Sequence, residues 1–342
     1  MGRRASGCMP SRRSTAGLLA AFALAASTVA ACAPAPGASP GSVEAARAEL
    51  RDLITDVTAA TAYRYQLADD QGRSMDTAKI IWMPEADRFA AVYHIWTEAD
   101  QAFHVELATS ADLMAWTSVV ELADKASQPT IAAASDGGYV VAWEQEPDPI
   151  HLVIESFATW DDLRAGTVTR RFDVPVTMPA CGEGTPSIDA ASSTRVDLGF
   201  HYHGDCERDR EASGTTDWTT WQAVARPERD QALIDLGVAG HIGDRDTISF
   251  RGHDLMLIEG QLTLDDFSTW RTFLYDDETR TAELLHVRTH QGSVAFSNPT
   301  IGQVRIGGHE AILVTLFLMG EGAPSSEDGP LLFYRALPDG TH

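Results

Sequence analysis

The stretch Asp112-Leu113-Met114-Ala115-Trp116 decides the fold, because its pattern of a short polar residue, a large apolar residue, two spacers and a tryptophan recurs. The later copies are Ser156-Phe157-Ala158-Thr159-Trp160, Asp217-Trp218-Thr219-Thr220-Trp221 and Asp266-Phe267-Ser268-Thr269-Trp270. The tryptophans recur at intervals of roughly 45–60 residues, which suits a small four-stranded sheet with its loops. This period predicts that each repeat is one blade of a β-propeller. We expect the tryptophans to take one position in each blade and pack between neighbouring sheets, and the aspartates to form turns.

A second repeated phrase, which we call the opener, gives the number of blades. The openers are Asp76-Thr77-Ala78, Pro129-Thr130-Ile131, Pro186-Ser187-Ile188, Asp246-Thr247-Ile248 and Pro299-Thr300-Ile301. Each leads into an apolar run, a polar turn and a second apolar run, which is the pattern of a β-hairpin. These short runs lack the apolar spacing of three and four residues that a helix requires. The sequence therefore predicts an all-β, five-bladed propeller over residues 63–342, with a pair of β-sandwiches as the alternative.

Residues 1–31 have the layout of a secretory signal peptide. Four arginines precede an apolar run from Leu18 to Ala31 that is too short to span a bilayer. The run ends in Val29-Ala30-Ala31-Cys32, which resembles the lipobox of bacterial lipoproteins, whose cysteine is lipidated. Plain cleavage after an Ala-x-Ala site is the alternative. We expect an exported protein that is held to the membrane through lipid on Cys32.

Two further segments precede the propeller. Residues 32–41 are Ala, Pro, Gly and Ser after the cysteine, and predict a flexible tether. Residues 42–62 predict a helix that Ser42 caps. Beyond the tether the cysteines are Cys181 and Cys206, and in an oxidising compartment we expect them to form a disulfide.

Charge and missing motifs exclude several classes of protein. The formal net charge of −23 makes nucleic acid and anionic lipid surfaces poor partners. The sequence contains no Walker loop, dinucleotide fingerprint, zincin helix or Gly-x-Ser-x-Gly nucleophile elbow. We therefore expect no nucleotide chemistry, no α/β-hydrolase chemistry and no cofactor.

Two short motifs resemble a known superfamily. The stretch from Ser110 to Trp116 resembles the Ser-x-Asp-Leu-x-x-Trp phrase of five-bladed propeller glycoside hydrolases, the superfamily of arabinanases, β-xylosidases and invertases. Glu183-Gly184-Thr185-Pro186 resembles the Glu-Gly-Pro phrase that carries the general acid in blade three. The resemblance implies that Asp76 is the base or nucleophile and that Glu183 is the acid. It also implies an aspartate opening blade two, where this chain has Gln128.

The openers and the ends of the second strands should meet around the propeller axis, in what we call the axial funnel. Its candidate residues are Asp76, Gln128, Glu183, Asp246 and Asn298 from the openers, and His94, Trp96, Trp143, Glu144, His201, His203 and Glu259 from the second strands. Asp76, Glu183 and Asp246 are the candidate catalytic carboxyls, and tryptophan faces suit sugar rings. His201 and His203 could ligate a metal with Glu144, but hydrogen-bonded strand histidines are commoner and we expect no metal.

Two functions remain open from the sequence. The first is a lipid-anchored protein of the cell envelope that binds a glycan in the axial funnel, as a glycan-binding propeller or a divergent glycoside hydrolase. The second is a non-catalytic propeller that binds another protein. Gln128 at the position of an expected acid argues against catalysis, whereas Glu183 and Gly184 argue for it. The fold cannot decide, because propellers carry both functions.

Overall fold

The computed structural model describes residues 41–147, 149–178 and 181–338. The predicted signal peptide, the predicted tether up to residue 40 and Cys32 lie outside the described residues. The described chain forms five four-stranded antiparallel sheets, which confirms the predicted all-β fold with five propeller blades. No helix in this part of the chain is both long enough and apolar enough to cross a membrane.

The chain enters the propeller through one helix and one strand. Ser42 accepts a hydrogen bond from the Ala45 N–H and caps helix α1 (Val43–Ile54), whose apolar face packs on blades 4 and 5. The helix ends short of the predicted boundary at residue 62. Asp56 caps a 3-10 turn at Val57–Ala59, and strand β1 follows at Ala62–Tyr65.

Blades 1 to 5 follow one another in chain order. The strands are β2 (Asp76–Met83), β3 (Arg88–Thr97), β4 (Ala102–Ser110) and β5 (Thr117–Asp124) in blade 1; β6 (Ala126–Ala133), β7 (Tyr139–Gln145), β8 (His151–Phe157) and β9 (Arg170–Asp173) in blade 2; β10 (Glu183–Ala191), β11 (Val196–His203), β12 (Asp209–Thr216) and β13 (Trp221–Ala225) in blade 3; β14 (Ile242–Phe250), β15 (His253–Gln261), β16 (Trp270–Asp276) and β17 (Thr281–Leu284) in blade 4; and β18 (Phe296–Ile306), β19 (His309–Leu318) and β20 (Gly329–Ala336) in blade 5. Two short helices, α2 (Trp160–Arg164) and α3 (Pro227–Ile234), lie in loops. The first strands of neighbouring blades contact one another and surround the axis.

Strand β1 closes the ring. It pairs with β20, so that Ala62 faces Tyr334 and Tyr65 faces Leu331. The fourth strand of blade 5 thus comes from the start of the domain, and its pairing covers an edge that would otherwise stay open. Nothing in these four residues signals their partner, which is 266 or more residues away along the chain, and the sequence analysis did not assign one.

The repeated tryptophan phrase does not occupy one position in every blade, which corrects the sequence-based expectation. The first three copies precede the fourth strand of their blades, but Trp270 begins β16, the third strand of blade 4. The predicted turns are present, because Asp112, Asp217 and Asp266 accept hydrogen bonds from the N–H two residues on. Such turn chemistry is local, so the phrase recurs wherever a loop of this shape is needed.

Neighbouring blades differ in how they pack together. Buried apolar clusters join blades 1 and 2, 2 and 3, 4 and 5, and 5 and 1. Among the described residues, no such cluster spans blades 3 and 4. Polar contacts join them, among them that of Arg245 of blade 4, whose fully buried guanidinium lies 2.8 Å from Glu211 of blade 3. Gly199 leaves room for this side chain, since a Cβ there would lie 3.0 Å from Arg245 Cδ.

A disulfide fastens the edge of blade 3. Cys181 and Cys206 are bonded, with their Cα atoms 5.5 Å apart, as the sequence predicts. The bridge ties the segment before β10 to the turn between β11 and β12. Closing a loop of this size stabilises the folded state by about 3 kcal/mol in the chain-entropy description.

Candidate functional site

The propeller axis is occupied by contacts between non-neighbouring blades. Asn298 Nδ2 of blade 5 donates to Gln128 Oε1 of blade 2 over 3.0 Å. Lys79 of blade 1 forms an ion pair with Asp246 of blade 4. The cavity beside this ion pair has a volume of about 10 Å³, which is room for about one water molecule. The expected axial funnel is therefore filled here, because polar side chains that converge on a narrow axis pair with one another when buried.

Three of the predicted binding residues, His94, Glu144 and Glu259, hold bulges in the first strands of the blades. Among the described strands, the bulge residues with positive φ are Thr77 (54°), Gln128 (52°), Thr185 (43°) and Asn298 (48°). The end of the preceding blade's second strand holds three of these N–H groups. His94 Nδ1 accepts from Gln128, Glu144 Oε2 from Thr185, and Glu259 Oε2 from Asn298. These side chains therefore stabilise an uncommon backbone conformation, and only Glu144 among them also lines the cleft described below.

His94 and Glu259, which hold the bulges of blades 2 and 5, are uncharged at neutral pH. Burial lowers the pKa of His94 to about 3, so its ring is neutral and Nδ1 can accept a hydrogen bond. Burial, together with the neighbouring Asp244, raises the pKa of Glu259. Neutral groups of this kind suit a structural role, because no charge has to be kept in a buried position.

Asp246 is fully engaged as a structural residue. Its Oδ1 accepts from Ser187 Oγ (3.3 Å) and from the Thr247 N–H (3.1 Å). Its Oδ2 accepts from the Ile301 N–H (2.7 Å) and pairs with Lys79. Both oxygens are thus taken by groups from four blades, which gives this carboxylate a structural role at the axis.

Asp76 lies at the start of β2 and does not line the cleft. Ser74 Oγ donates to its Oδ1 over 2.5 Å, and burial raises its pKa, with the nearby Asp328 adding to the effect. Its cross-strand partner is His94. The structure therefore does not bring Asp76 and Glu183 together in one cleft.

An open cleft lies beside the axis, at the ends of blades 2 and 3. Its volume is about 210 Å³, and its lining residues are Gln128, Glu144, Ile150, Glu183, Gly184, Thr185, His201, His203 and Asp209. The cleft brings together five of the predicted site residues. Gly184 keeps it open, since a Cβ there would overlap Glu144 Oε2 and lie 2.9 Å from His201 Nε2.

Glu183 has the environment of a proton donor. Its side chain is only 1% exposed, and Oε1 accepts from the N–H groups of Thr177 (3.0 Å) and Met178 (2.9 Å). Its Oε2 is buried and has no hydrogen-bond partner among the described residues. Burial raises the pKa of Glu183, which favours the protonated form that a general acid needs.

Asp209 and three histidines form a compact cluster, of which Asp209, His201 and His203 line the cleft. The Asp209 carboxylate lies 2.9 Å from His203 Nε2, 3.7 Å from His201 Nε2 and 2.9 Å from His241 Nδ1. Burial alone would raise the pKa of Asp209, but the three histidines lower it well below its usual range. The nearby Asp209 carboxylate raises the pKa of His203, whereas burial lowers the pKa of His201 to about 4.

The two tryptophans proposed as sugar platforms lie in different surroundings. Trp143 is 0% exposed and packs in the apolar cluster between blades 1 and 2, so it offers no ring face to a ligand. The reason is the alternation of side chains along β7, which directs Trp143 into the core and Glu144 towards the cleft. Trp96 is 45% exposed and packs edge-on against Phe103.

The sequence analysis missed Asp209 and His241. Asp209 is the cross-strand partner of His203 in the β11–β12 hairpin. The disulfide at Cys206 marks the turn of this hairpin, so counting outward from the turn would have paired the two residues. His241 precedes β14 and reaches the cluster only through the packing of blade 4 on blade 3, which no local pattern signals.

Comparison with known proteins defines the fold further. No protein-family model matches the chain, and no curated protein is similar to it in sequence. Among solved structures, a glycoside hydrolase matches 86% of this chain and 95% of its own length, with a TM-score of 0.57 and 9% identity. The fold is that of the five-bladed propeller glycoside hydrolases.

Two further solved structures, of an endo-arabinase and an exo-galactanase, are similar to this chain in fold. The endo-arabinase of Bacteroides thetaiotaomicron VPI-5482 covers 82% of this chain and 100% of its own, with a TM-score of 0.52 and 10% identity. The exo-β-1,3-galactanase of Clostridium thermocellum covers 81% of this chain and 63% of its own, with a TM-score of 0.54 and 12% identity. At such low identity the likeness concerns the glycoside hydrolase propeller fold alone.

Proposed function

We propose that the protein binds a glycan in the cleft at the ends of blades 2 and 3. The observation that carries the proposal is the lining of that cleft by carboxyl, imidazole and amide groups of Glu144, Glu183, His203 and Gln128. Sugar hydroxyls both donate and accept hydrogen bonds, and such side chains supply both partners. The volume of about 210 Å³ is below the ~300–1,000 Å³ of sites for drug-sized ligands and suits one sugar unit.

Binding without cleavage is favoured over hydrolysis. Cleavage of a glycosidic bond needs two carboxyl groups facing each other across the scissile bond. Of the three candidate catalytic carboxyls, only Glu183 lines the cleft, while Asp246 is bonded to Lys79 and Asp76 lies outside the lining. The fold supports the choice of ligand class, because the solved neighbours include a structure described as an α-L-arabinofuranosidase in complex with cellotriose.

Hydrolysis remains the second candidate because of Glu183. Its raised pKa and its Oε2, which has no hydrogen-bond partner among the described residues, are properties of a general acid, and Glu144 and Asp209 are further carboxyls in the same cleft. The assay below therefore measures cleavage as well as binding.

A panel of arabino-, xylo-, fructo- and sialo-oligosaccharides tests the proposal by calorimetry and by release of reducing sugar. We expect binding without release. Gly184→Ala should weaken binding at least about tenfold, because the new methyl group occupies the cleft. Gly302→Ala is the matched control, since a Cβ there meets nothing within 4 Å.

Each other outcome has a definite meaning. Release of sugar that Glu183→Gln abolishes, with affinity retained, would establish the hydrolase instead, because the amide keeps the shape and loses the transferable proton. A panel that is neither bound nor cleaved would contradict both glycan functions. A protein partner at the cell envelope would then become the leading function.

We further propose that the protein is exported and held to the membrane by lipid on Cys32. The support is the lipobox-like Val29-Ala30-Ala31-Cys32 ahead of the tether, together with the disulfide of blade 3, which suits an oxidising compartment. We expect mass spectrometry of the mature protein to find a diacylglyceryl Cys32 at its N-terminus. Cys32→Ser should remove the protein from the membrane fraction, whereas Cys8→Ser, within the signal peptide, should not. An unmodified N-terminus elsewhere would contradict the anchor.

A further inference from the structure

Three potential metal ligands converge on one wall of the cleft. His201 Nε2 and His203 Nε2 lie 3.7 Å and 2.9 Å from Asp209 Oδ1, and the three ligand atoms all lie within 4.8 Å of one another. Two ligands bound tetrahedrally to one zinc ion at ~2.0–2.1 Å are ~3.4 Å apart. Small side-chain movements would therefore let all three atoms reach a single ion.

Asp209 Oδ1 is an unsatisfied acceptor at the centre of this group. The atom is buried, and within the described residues it receives no hydrogen bond of acceptable geometry, although His203 Nε2 is only 2.9 Å away. A buried carboxylate oxygen without a partner is costly, which makes it rare in native proteins. Its position between two imidazole nitrogens points to a ligand that all three atoms share.

Outer contacts hold His201 and Asp209 in this orientation. His201 Nδ1 lies 2.5 Å from Thr185 Oγ1, which leaves Nε2 to face Asp209. His241 Nδ1 lies 2.9 Å from Asp209 Oδ2, the second oxygen of that carboxylate. Polar contacts to the second atom of a ligand group are typical of metal sites, where they orient the first atom.

The scaffold of the cluster is rigid. His201 and His203 lie two residues apart on β11 and so share one face of the sheet. Asp209 is the cross-strand partner of His203, and the Cys181–Cys206 bridge clamps the adjoining turn. Ligands on paired strands keep their geometry better than ligands on loops.

We propose that His201, His203 and Asp209 bind a divalent transition-metal ion, with zinc as the best fit. Two imidazoles and one carboxylate suit zinc, whereas calcium and magnesium prefer oxygen ligands alone. Three protein ligands leave a fourth position, which would face the cleft because all three residues line it. This differs from the sequence-based expectation of no metal, which considered Glu144 as the third ligand and did not include Asp209.

Calorimetric titration of the full chain with Zn²⁺ tests the proposal. For this titration the protein is prepared without a histidine tag and freed of metal with a chelator. It is kept oxidised so that Cys181 and Cys206 remain paired. We expect one ion per chain with micromolar or tighter affinity, and a higher melting temperature in its presence. His203→Gln should weaken binding at least about 100-fold, because it removes a direct ligand.

His104→Gln is the matched control. His104 also lies between two carboxylates, 2.8 Å from Asp100 and 3.3 Å from Glu121, but those carboxylates are exposed, and in the described part of the chain no second histidine joins them. Its Zn²⁺ affinity should equal that of the wild type. Absence of binding in the wild type would overturn the metal site, and so would equal affinities of the wild type and His203→Gln. Neither result depends on whether a glycan binds.

Discussion

Trp143→Ala is expected to lower the free energy of unfolding by about 3–5 kcal/mol, the usual cost of truncating a buried aromatic side chain. Trp143 is fully buried between blades 1 and 2, in contact with the apolar cluster that includes Val92 and Val153. Its Nε1 donates to Gln145 Oε1 over 2.9 Å, so the truncation also leaves an acceptor without its donor. Urea denaturation of the wild type and the variant measures the difference.

Trp96→Ala is the matched control for this prediction. The sequence analysis placed both tryptophans in the glycan site, but Trp96 is 45% exposed, with its ring packed edge-on against Phe103. Its truncation should therefore cost about 1 kcal/mol or less. Equal stabilities of the two variants would contradict the placement of Trp143 in the core.

Arg245→Met is expected to destabilise the protein by about 3–5 kcal/mol at pH 8, because it leaves the buried Glu211 with only the more distant Arg229, at 3.8 Å, as a cationic partner. Both side chains of this ion pair are 0% exposed, and their separation is 2.8 Å. Arg245 also donates to the Thr185 carbonyl oxygen over 2.5 Å, which links blade 4 to the bulge of blade 3. The substitution would remove an ion pair between blades 3 and 4, the one pair of neighbouring blades for which the described residues show no shared apolar cluster.

The double variant Arg245→Met with Glu211→Leu provides the control. It removes both charges, so most of the lost stability should return. The single variant should also be less destabilised at low pH. Burial raises the pKa of Glu211, and loss of Arg245 would raise it further, so that lowering the pH neutralises the carboxyl and removes the unfavourable charge. A single variant whose loss of stability is the same at pH 5 and pH 8 would contradict an uncompensated charge as the cause.

The number and type of strands could be predicted because their signals are local. The openers lie in the five first strands, β2, β6, β10, β14 and β18, and the apolar runs after each turn form the second strands. Period-two patterns and turn residues act over a few positions, so they survive without knowledge of the partners. The same locality explains why the prediction at Trp270 was wrong: the same kind of turn there precedes the third strand of its blade instead of the fourth.

The candidate site could be predicted only in part. Gln128, Glu144, Glu183, His201 and His203 meet in one cleft, as their places at strand ends indicate. Trp143 and Glu144 are adjacent in β7, and adjacent residues face opposite sides of a sheet. This alternation prevents both from lining the same cleft, a constraint that the sequence analysis did not apply.

The sequence by itself determined the all-β propeller, its five blades and the cysteines of its disulfide, because repeats, turns and cysteine number are properties of short segments. Only the tertiary structure decided that β1 closes blade 5, that Asp246 and Lys79 meet across the axis, and that Asp209 joins His201 and His203. These contacts join segments that are distant along the chain or depend on strand register. Their formation depends on how whole blades pack, since a buried polar group takes whichever partner the packing brings within hydrogen-bond distance.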